Sequence, residues 1–495
     1  MGFEIDYLAL APELVVVLTI LGVLLLDLIL PRSLKYVTAV VAIFGVSMSA
    51  IPLLIMAVDG STRPMFDGSF TVDTFALVLK AIFVLSAYLV LLLSVSYIER
   101  DRYYQGEYYF LILCSLLGSL VMASSRDLIV LFIGLELTTA PLFLLAGWRK
   151  GDVKSNEASL KYYIIGVLSV ALLLYGMSLV YGLTGSVLFE DIRAAVDGDL
   201  ASEPALGLAI ILMLAGFGFK VSAVPFHSWA PDTYEGSPTP VAAYLSVNSK
   251  AAGFVAMLIV LYQAVPGASG VWAPALWIMA AASMIVGNLS AMRQTNIVRL
   301  LAYSSIAQAG FMLVPFAAAG VAGTDLTDAF SATVIYLVIF AVMNLGAFAV
   351  VIAGARRSGS GEISGWAGLA SYDPRLGVLA AVFFFSLAGI PPLAGWFAKF
   401  VMFRSVIVAG GTATVVLAVI AAVNTVIAFY YYARVVKSIW LDEAPAVGLG
   451  DREAVPAGSL RLALGLAGLL TLAIGVFPTL ASIFGEASRI LASGG

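Results

Sequence analysis

The chain has 495 residues, of which 61% are hydrophobic and 11% charged, with a formal net charge of −4 and a mean hydropathy of +1.03. A soluble core cannot enclose that much apolar surface, so the composition excludes a soluble enzyme and specifies an all-α, polytopic membrane protein. One cysteine, Cys114, excludes an internal disulfide and a thiolate cage for an iron–sulfur cluster; one histidine, His227, excludes bis-histidine haem ligation. A pI near 5.2 and the lack of a basic patch with interleaved aromatics give no nucleic-acid signal.

A bilayer core of about 30 Å needs about 20 apolar residues per helix. In chain order the sequence accommodates about fourteen spans, at 8–30, 36–58, 73–97, 108–124, 127–147, 159–183, 205–231, 241–264, 272–291, 297–317, 328–353, 375–407, 411–440 and 459–484. The first run, Leu8 to Leu30, is too long for a signal-peptide core and lacks a basic leader, so it reads as a retained span. With the amino terminus outside, the inner loops hold sixteen basic residues: Arg32, Lys35, Arg100, Arg102, Arg149, Lys150, Lys154, Arg293, Arg299, Arg356, Arg357, Arg375, Arg434, Lys437, Arg452 and Arg461. The outer loops hold five: Arg63, Arg126, Arg193, Arg404 and Arg489. That bias predicts an even number of spans with both termini outside.

The remaining five basic residues are lysines inside or at the ends of spans: Lys80, Lys161, Lys220, Lys250 and Lys399. Arginine does not usefully deprotonate, whereas a desolvated lysine can, so an all-lysine interior suits proton transfer. Lys80 and Lys161 could equally snorkel to the interface. A charge at the bilayer centre costs about 2.5–3.5 kcal/mol even on a lenient scale, so deep lysines are expected to face protein or a water-filled path.

Weak internal symmetry accompanies this pattern. Arg126 to Leu131 answers to Asn296 to Leu301, and Leu214-Ala215-Gly216 to Leu387-Ala388-Gly389, each of the latter opening an interrupted span. A division into three N-terminal helices (1–107), two five-helix units (108–264 and 272–440) and a last helix (459–484) follows. Five is odd, so the two units are inverted, the plan of transporters whose broken helices border the ion path.

The first break lies after Lys220, where Pro225, His227 and a polar turn with Asp232 and Glu235 precede the helix of Lys250. The second is sharper. From Arg375 to Ile407 the chain has 33 residues, about 50 Å of helix at 1.5 Å each, and Pro391-Pro392 removes two successive backbone donors. Lys399 then lies in its second half beside freed carbonyls. Glu136 is near the middle of its span and needs a lysine partner. At 4 Å and an effective dielectric near 20 such a pair gains about 4 kcal/mol, enough to change a proton equilibrium about a thousandfold. The alternative is a static ion pair that fixes helix packing.

Glu157 and Lys161 have the i,i+4 spacing of ordinary solvated helix faces, and a structural role stands at least level with a functional one. His227 could relay protons between Lys220 and Lys250 or cap the broken helix. Glu13 and Asp27 read as interfacial or partner-facing, and Tyr430-Tyr431-Tyr432 as an aromatic belt.

Several stretches together carry a family resemblance: Met122-Ala123-Ser124-Ser125-Arg126-Asp127-Leu128, Gly134-Leu135-Glu136-Leu137, Glu157-Ala158-Ser159-Leu160-Lys161-Tyr162, Phe219-Lys220-Val221-Ser222-Ala223-Val224-Pro225-Phe226-His227, Ser249-Lys250-Ala251-Ala252-Gly253-Phe254 and Gly389-Ile390-Pro391-Pro392-Leu393-Ala394-Gly395-Trp396-Phe397-Ala398-Lys399. Over essentially its whole length the chain resembles the subunit N family of bacterial NADH-quinone oxidoreductase, respiratory complex I. The resemblance implies an antiporter-like, proton-pumping membrane-arm subunit with fourteen helices and two inverted five-helix repeats. It implies Glu136 as the inlet carboxylate, Lys220 as its partner, Lys250 as the central relay and Lys399 as the outlet-side lysine. The related M subunits usually carry glutamate at that last place. The L subunits add a long amphipathic helix that this sequence, ending at Gly495, does not supply. The resemblance further implies no cofactor on this chain, with flavin, iron–sulfur clusters and the quinone site on partner subunits. The partners would be subunit M, the small membrane subunits and the lipid of the bacterial inner membrane. Two other readings stand beside it: a subunit of a multisubunit cation/proton antiporter, and a structural spacer of the membrane arm.

Overall fold

The computed structural model describes residues 5–99, 106–444 and 457–489. Arg100, Arg102 and Arg452 lie outside the described residues, and of Arg489 only the backbone is described. The described chain is almost wholly helical. Three helices come first: α1 (Ala11–Ile29), α2 (Tyr36–Asp59) and, after a hairpin of β1 (Arg63–Met65) and β2 (Phe70–Val72), α3 (Thr74–Glu99). The strands pair antiparallel with Arg63 opposite Val72.

The first unit then runs through α4 (Gly106–Ala123), α5 (Leu128–Ala146), α6 (Val153–Thr184), the short α7 (Phe189–Ala195), α8 (Pro204–Val221), α9 (Trp229–Gly236), α10 (Thr239–Tyr244) and α11 (Lys250–Ile259). The second comprises α12 (Ser269–Ala291), α13 (Ile297–Ala322), α14 (Leu326–Ser358), the one-turn α15 (Leu369–Tyr372), α16 (Pro374–Ala388), α17 (Ala394–Ala409) and α18 (Thr412–Leu441); α19 (Gly458–Val476) and α20 (Thr479–Arg489) close the described chain. Among the described residues, thirteen helical segments are long and apolar enough to cross a bilayer. The α16–α17 pair, too short in each half to count alone, supplies the fourteenth crossing.

The span expected at 459–484 is two helices, not one. Val476 ends α19 and Thr479 begins α20, because Pro478 disfavours helical backbone at Phe477 and supplies no N–H.

The two units repeat in detail at their capping turns. Asp127 caps α5 by accepting from Ile129 and Val130 at 2.7 and 2.9 Å. Asn296 caps α13 by accepting from Val298 and Arg299 at 3.0 and 3.2 Å. Each cap then forms an antiparallel bridge, Asp127 with Leu188 and Asn296 with Glu362, to the loop after a long helix. Five crossings separate the caps, so they sit on opposite membrane faces. Asp127 thus corresponds to Asn296, which corrects the sequence alignment of Arg126 with Asn296 by one residue. Likewise α8 ends on left-handed Ser222 (φ 58°) and α16 on left-handed Gly389 (φ 91°). Leu387-Ala388-Gly389 therefore answers to Lys220-Val221-Ser222, not to Leu214-Ala215-Gly216.

Lipid tails give no hydrophobic drive for helices to associate, so close packing through small residues does much of that work. A Cβ on Gly118 of α4 would stand 2.3 Å from the Thr138 backbone nitrogen of α5, and one on Gly287 of α12 would stand 2.6 Å from that of Ala307 on α13. The α10–α11 span and α14 lie wholly inside the bundle, which makes them the axis around which the units pack.

Gly118→Val is expected to destabilise the chain by more than about 3 kcal/mol, because backbone on both sides must move. The measurement is the amount of chain recovered in the membrane. Gly182→Ala, where no atom lies within 4 Å of the added carbon, is the control and should leave it unchanged.

Candidate functional site

Lys220 is the penultimate residue of α8, and Glu136 lies in the middle of α5. The Lys220 ammonium donates to Glu136 Oε1 at 2.9 Å and to Thr139 Oγ1 at 2.7 Å. Their exposures differ: the Lys220 side chain is 1% exposed and that of Glu136 23%. The carboxylate borders the outer surface of the chain while its partner is sealed within. Beyond Ser222, Phe219 O is taken by the Trp229 indole at 3.1 Å, which pins the start of α9 beneath the break.

A π-turn at Leu245–Ser249 joins α10 to α11 and leads directly into Lys250; such irregularities often mark functional positions. The Lys250 ammonium donates to Ser305 O at 2.8 Å and Ser305 Oγ at 3.1 Å, so a residue of the first unit is held by α13 of the second. Gly253, one turn on, lets α11 press against α8: an added Cβ would lie 2.6 Å from Lys220 Cβ. The helices carrying the two lysines are thus in direct contact.

The second break has a simple covalent cause. In an unbroken helix the carbonyls of Leu387 and Ala388 would accept from residues 391 and 392, and both are proline. The Lys399 ammonium, on α17, takes the Ala388 carbonyl at 2.7 Å and lies 5.0 Å from the centre of the Phe311 ring. Of the sequence candidates, Glu136 and Lys220 are brought into contact, and Lys250 and Lys399 are seated separately, at Ser305 and near Phe311 of α13.

His227, half-buried in the α8–α9 turn, bonds neither lysine. Lys161 pairs with Glu157 at 2.6 Å as its spacing predicts, and also with Asp232 on α9 at 2.6 Å. Asp232 in turn meets Arg299 of α13 at 2.7 Å, and Glu235 meets Arg299 and Lys154, each at 3.0 Å. This partly exposed network straps α9 to α6 and α13.

Two sequence readings are corrected. Glu13 is not interfacial, nor does Lys80 snorkel: both are buried and paired at 2.7 Å between α1 and α3, with Lys80 5.2 Å from the Phe70 ring centre. Tyr431 and Tyr432 are not belt residues: both are fully buried, and only Tyr430 is exposed. The sequence reading took Ser304 and Ser305 as part of the family-like stretch Arg299-Leu300-Leu301-Ala302-Tyr303-Ser304-Ser305-Ile306 without giving them a role, and passed over Gln308 and Tyr336. Gln308 follows Ser304 by four residues inside an apolar span, and this was the available signal of a polar face.

The transmembrane family of NADH:quinone oxidoreductase and Mrp antiporters matches residues 125–425. NADH-quinone oxidoreductase subunit N of Trichlorobacter lovleyi is 41% identical over 425 residues, covering 85% of each chain. A chain of respiratory complex I from Thermus thermophilus, solved with bound aureothin, superposes with a TM-score of 0.76 at 31% identity, covering 95% of this chain and 98% of that one. A chain of the Mrp complex from Dietzia sp. DQ12-45-1b gives a TM-score of 0.85 at 21% identity, covering 98% of both, a likeness of fold alone. The chain belongs to the antiporter-like membrane-subunit class and, within it, to the NADH-quinone oxidoreductase subunit N family.

The Glu13–Lys80 pair generates a stability prediction. Lys80→Met alone strands a buried carboxylate and is expected to cost about 3–5 kcal/mol, whereas Glu13→Gln with Lys80→Met should recover most of the loss. Thermal denaturation of the purified assembly checks this. A double variant no better than the single one would exclude a paired role.

Proposed function

We propose that this chain is the proton-translocating, antiporter-like subunit of the membrane arm of NADH-quinone oxidoreductase, and that it carries no redox centre of its own. The observation that carries the reading is the Glu136–Lys220 pair at 2.9 Å, set beside a helix break within a sequence of buried lysines. Protons would reach Glu136 and Lys220 from the inner side, pass Lys250 and leave past Lys399. Energy would arrive from neighbouring subunits as a change in charge that makes or breaks the Glu136–Lys220 pair. Lysine suits each station because it can give up its proton, and a carboxylate at contact distance can hold or release it.

Lys161 and Glu157 act in this reading through Asp232, by fixing α9, and His227 serves water-mediated transfer between Lys220 and Lys250. The flavin, iron–sulfur clusters and quinone site belong to partner subunits. Subunit M and the small membrane subunits are the proposed neighbours in the inner membrane, with both termini outside. The division at 108–264 and 272–440 is retained for the two inverted units. A cation/proton antiporter subunit would share this fold, and sodium-dependent transport would favour it. A spacer would need none of the deep lysines to titrate.

The test is NADH-driven proton pumping and quinone reduction in membranes carrying Lys220→Ala or Lys220→Arg, with assembly measured on the same sample. The expected result is an assembled complex whose two activities fall at least about a hundredfold in the alanine variant, the scale of losing a positioned acid–base group. The arginine variant keeps the ion pair but cannot release its proton, so it too should pump poorly. Near-normal pumping in both variants would rule the reading out.

A further inference from the structure

Between the seats of Lys250 and Lys399 lies a buried polar cluster to which the path above gives no role. Ser305, which holds Lys250, and Phe311, which faces Lys399, are six residues apart on α13, or about 9 Å along the helix. A hydrogen bond spans about 3 Å, so the two seats lie about three such lengths apart along α13. In the middle of that interval is Gln308, 1% exposed.

Every polar atom of the Gln308 amide is engaged. Nε2 donates to the Leu387 carbonyl at 3.2 Å and to the Tyr432 hydroxyl at 3.4 Å, and Oε1 accepts from the Tyr336 hydroxyl at 2.6 Å. Tyr432 bonds Ser304 at 2.5 Å. A carbonyl can only accept, so the Leu387 contact sets which end of the amide faces it and leaves Oε1 for Tyr336. Pro391 and Pro392 deprive Leu387 and Ala388 of their helical donors. Gln308 takes the first of these adjacent carbonyls and Lys399 takes the second, at 2.7 Å. The same side chain therefore reaches α14 through Tyr336, α18 through Tyr432 and the broken end of α16.

We propose that Gln308 is a positioning residue for the proton step between Lys250 and Lys399, tying the Leu387–Ala388 end of α16, and with it Lys399, in register with Ser304 and Ser305 beside Lys250. This rests on the proton-path reading above. An amide is a poor proton carrier, so Gln308 acts by holding hydroxyls and a carbonyl in place. Tyr336 and Tyr432 are the hydroxyls it orients. The titratable groups around it are Tyr336 from α14, Tyr431 and Tyr432 from α18, Lys399 from α17 and Lys250 from α11.

The experiment measures NADH-driven proton pumping and quinone reduction between about pH 6 and pH 8 in membranes containing the whole complex, for Gln308→Leu, Gln308→Glu and Tyr432→Phe, with Lys399→Ala alongside. Gln308→Leu and Tyr432→Phe are expected to assemble and to lose activity about tenfold, the effect of one lost buried hydrogen-bonded contact. Gln308→Glu should recover at the acidic end, where a protonated carboxyl can donate and still accept from Tyr336. It should fail toward the alkaline end, with a pH profile that the unmodified complex does not share. Full pumping by Gln308→Leu or Tyr432→Phe, or a Gln308→Glu profile parallel to the unmodified one, would overturn the proposal. Should Gln308→Leu fail to assemble, Tyr432→Phe and Gln308→Glu decide by the same criteria. Full pumping by Lys399→Ala would instead remove the path on which the proposal rests, so the two failures are distinguishable.

Discussion

An ammonium group taken out of water must find an oxygen, and most of this structure follows from meeting that demand four times inside one bundle. The four solutions differ. Lys80 and Lys220 meet carboxylates, Glu13 and Glu136, at 2.7 and 2.9 Å. Lys250 and Lys399 meet neutral oxygens, those of Ser305 and the Ala388 carbonyl. The first two have a carboxylate at contact distance, whereas the last two have only neutral oxygens, so any charge on Lys250 or Lys399 is met by dipoles alone.

For Lys399 a helix break supplies the oxygen. The carbonyls of a continuous helix already accept from the next turn, whereas prolines at 391 and 392 leave two carbonyls without a helical donor inside the bundle. Gln308 and Lys399 fill them. The break in α16–α17 is thus a binding feature of the backbone itself, in the same sense that the left-handed caps at Ser222 and Gly389 turn both broken helices at corresponding points.

The two inverted units are joined through α13. Lys250 of the first unit is seated on α13 of the second, and Arg299 of α13 reaches back to Asp232 and Glu235 on α9. One helix, α13, therefore touches the strap on α9, the Lys250 seat, the Gln308 cluster and the ring beneath Lys399. A shift of that helix, or of α9 against it, moves several of these contacts together.

Much of this was legible in the sequence because bilayer thickness and proline chemistry act locally. Apolar run lengths set the crossings, Pro391-Pro392 announced a break, and the lysines left over after assigning the loops marked the interior. The pairing of Glu136 with a lysine was foreseeable from charge alone, since an unpaired carboxylate at midspan is untenable. The family resemblance named Lys220 as that partner, and the tertiary structure brings the two to 2.9 Å. Which face of a helix points inward is not encoded where nearly every residue is apolar, so Glu13 and Tyr431–Tyr432 read as interfacial until the neighbouring helices enclosed them. The one-residue shift in repeat register was likewise invisible until the caps of Asp127 and Asn296 were seen in their bridges. The sequence determined the number of crossings, the breaks and the charges that had to be buried, because each depends on a single segment and the solvent around it. Tertiary structure decided which oxygen each ammonium meets and that Gln308 stands between two of them, because those contacts join residues up to 124 positions apart across helices whose sequences look alike.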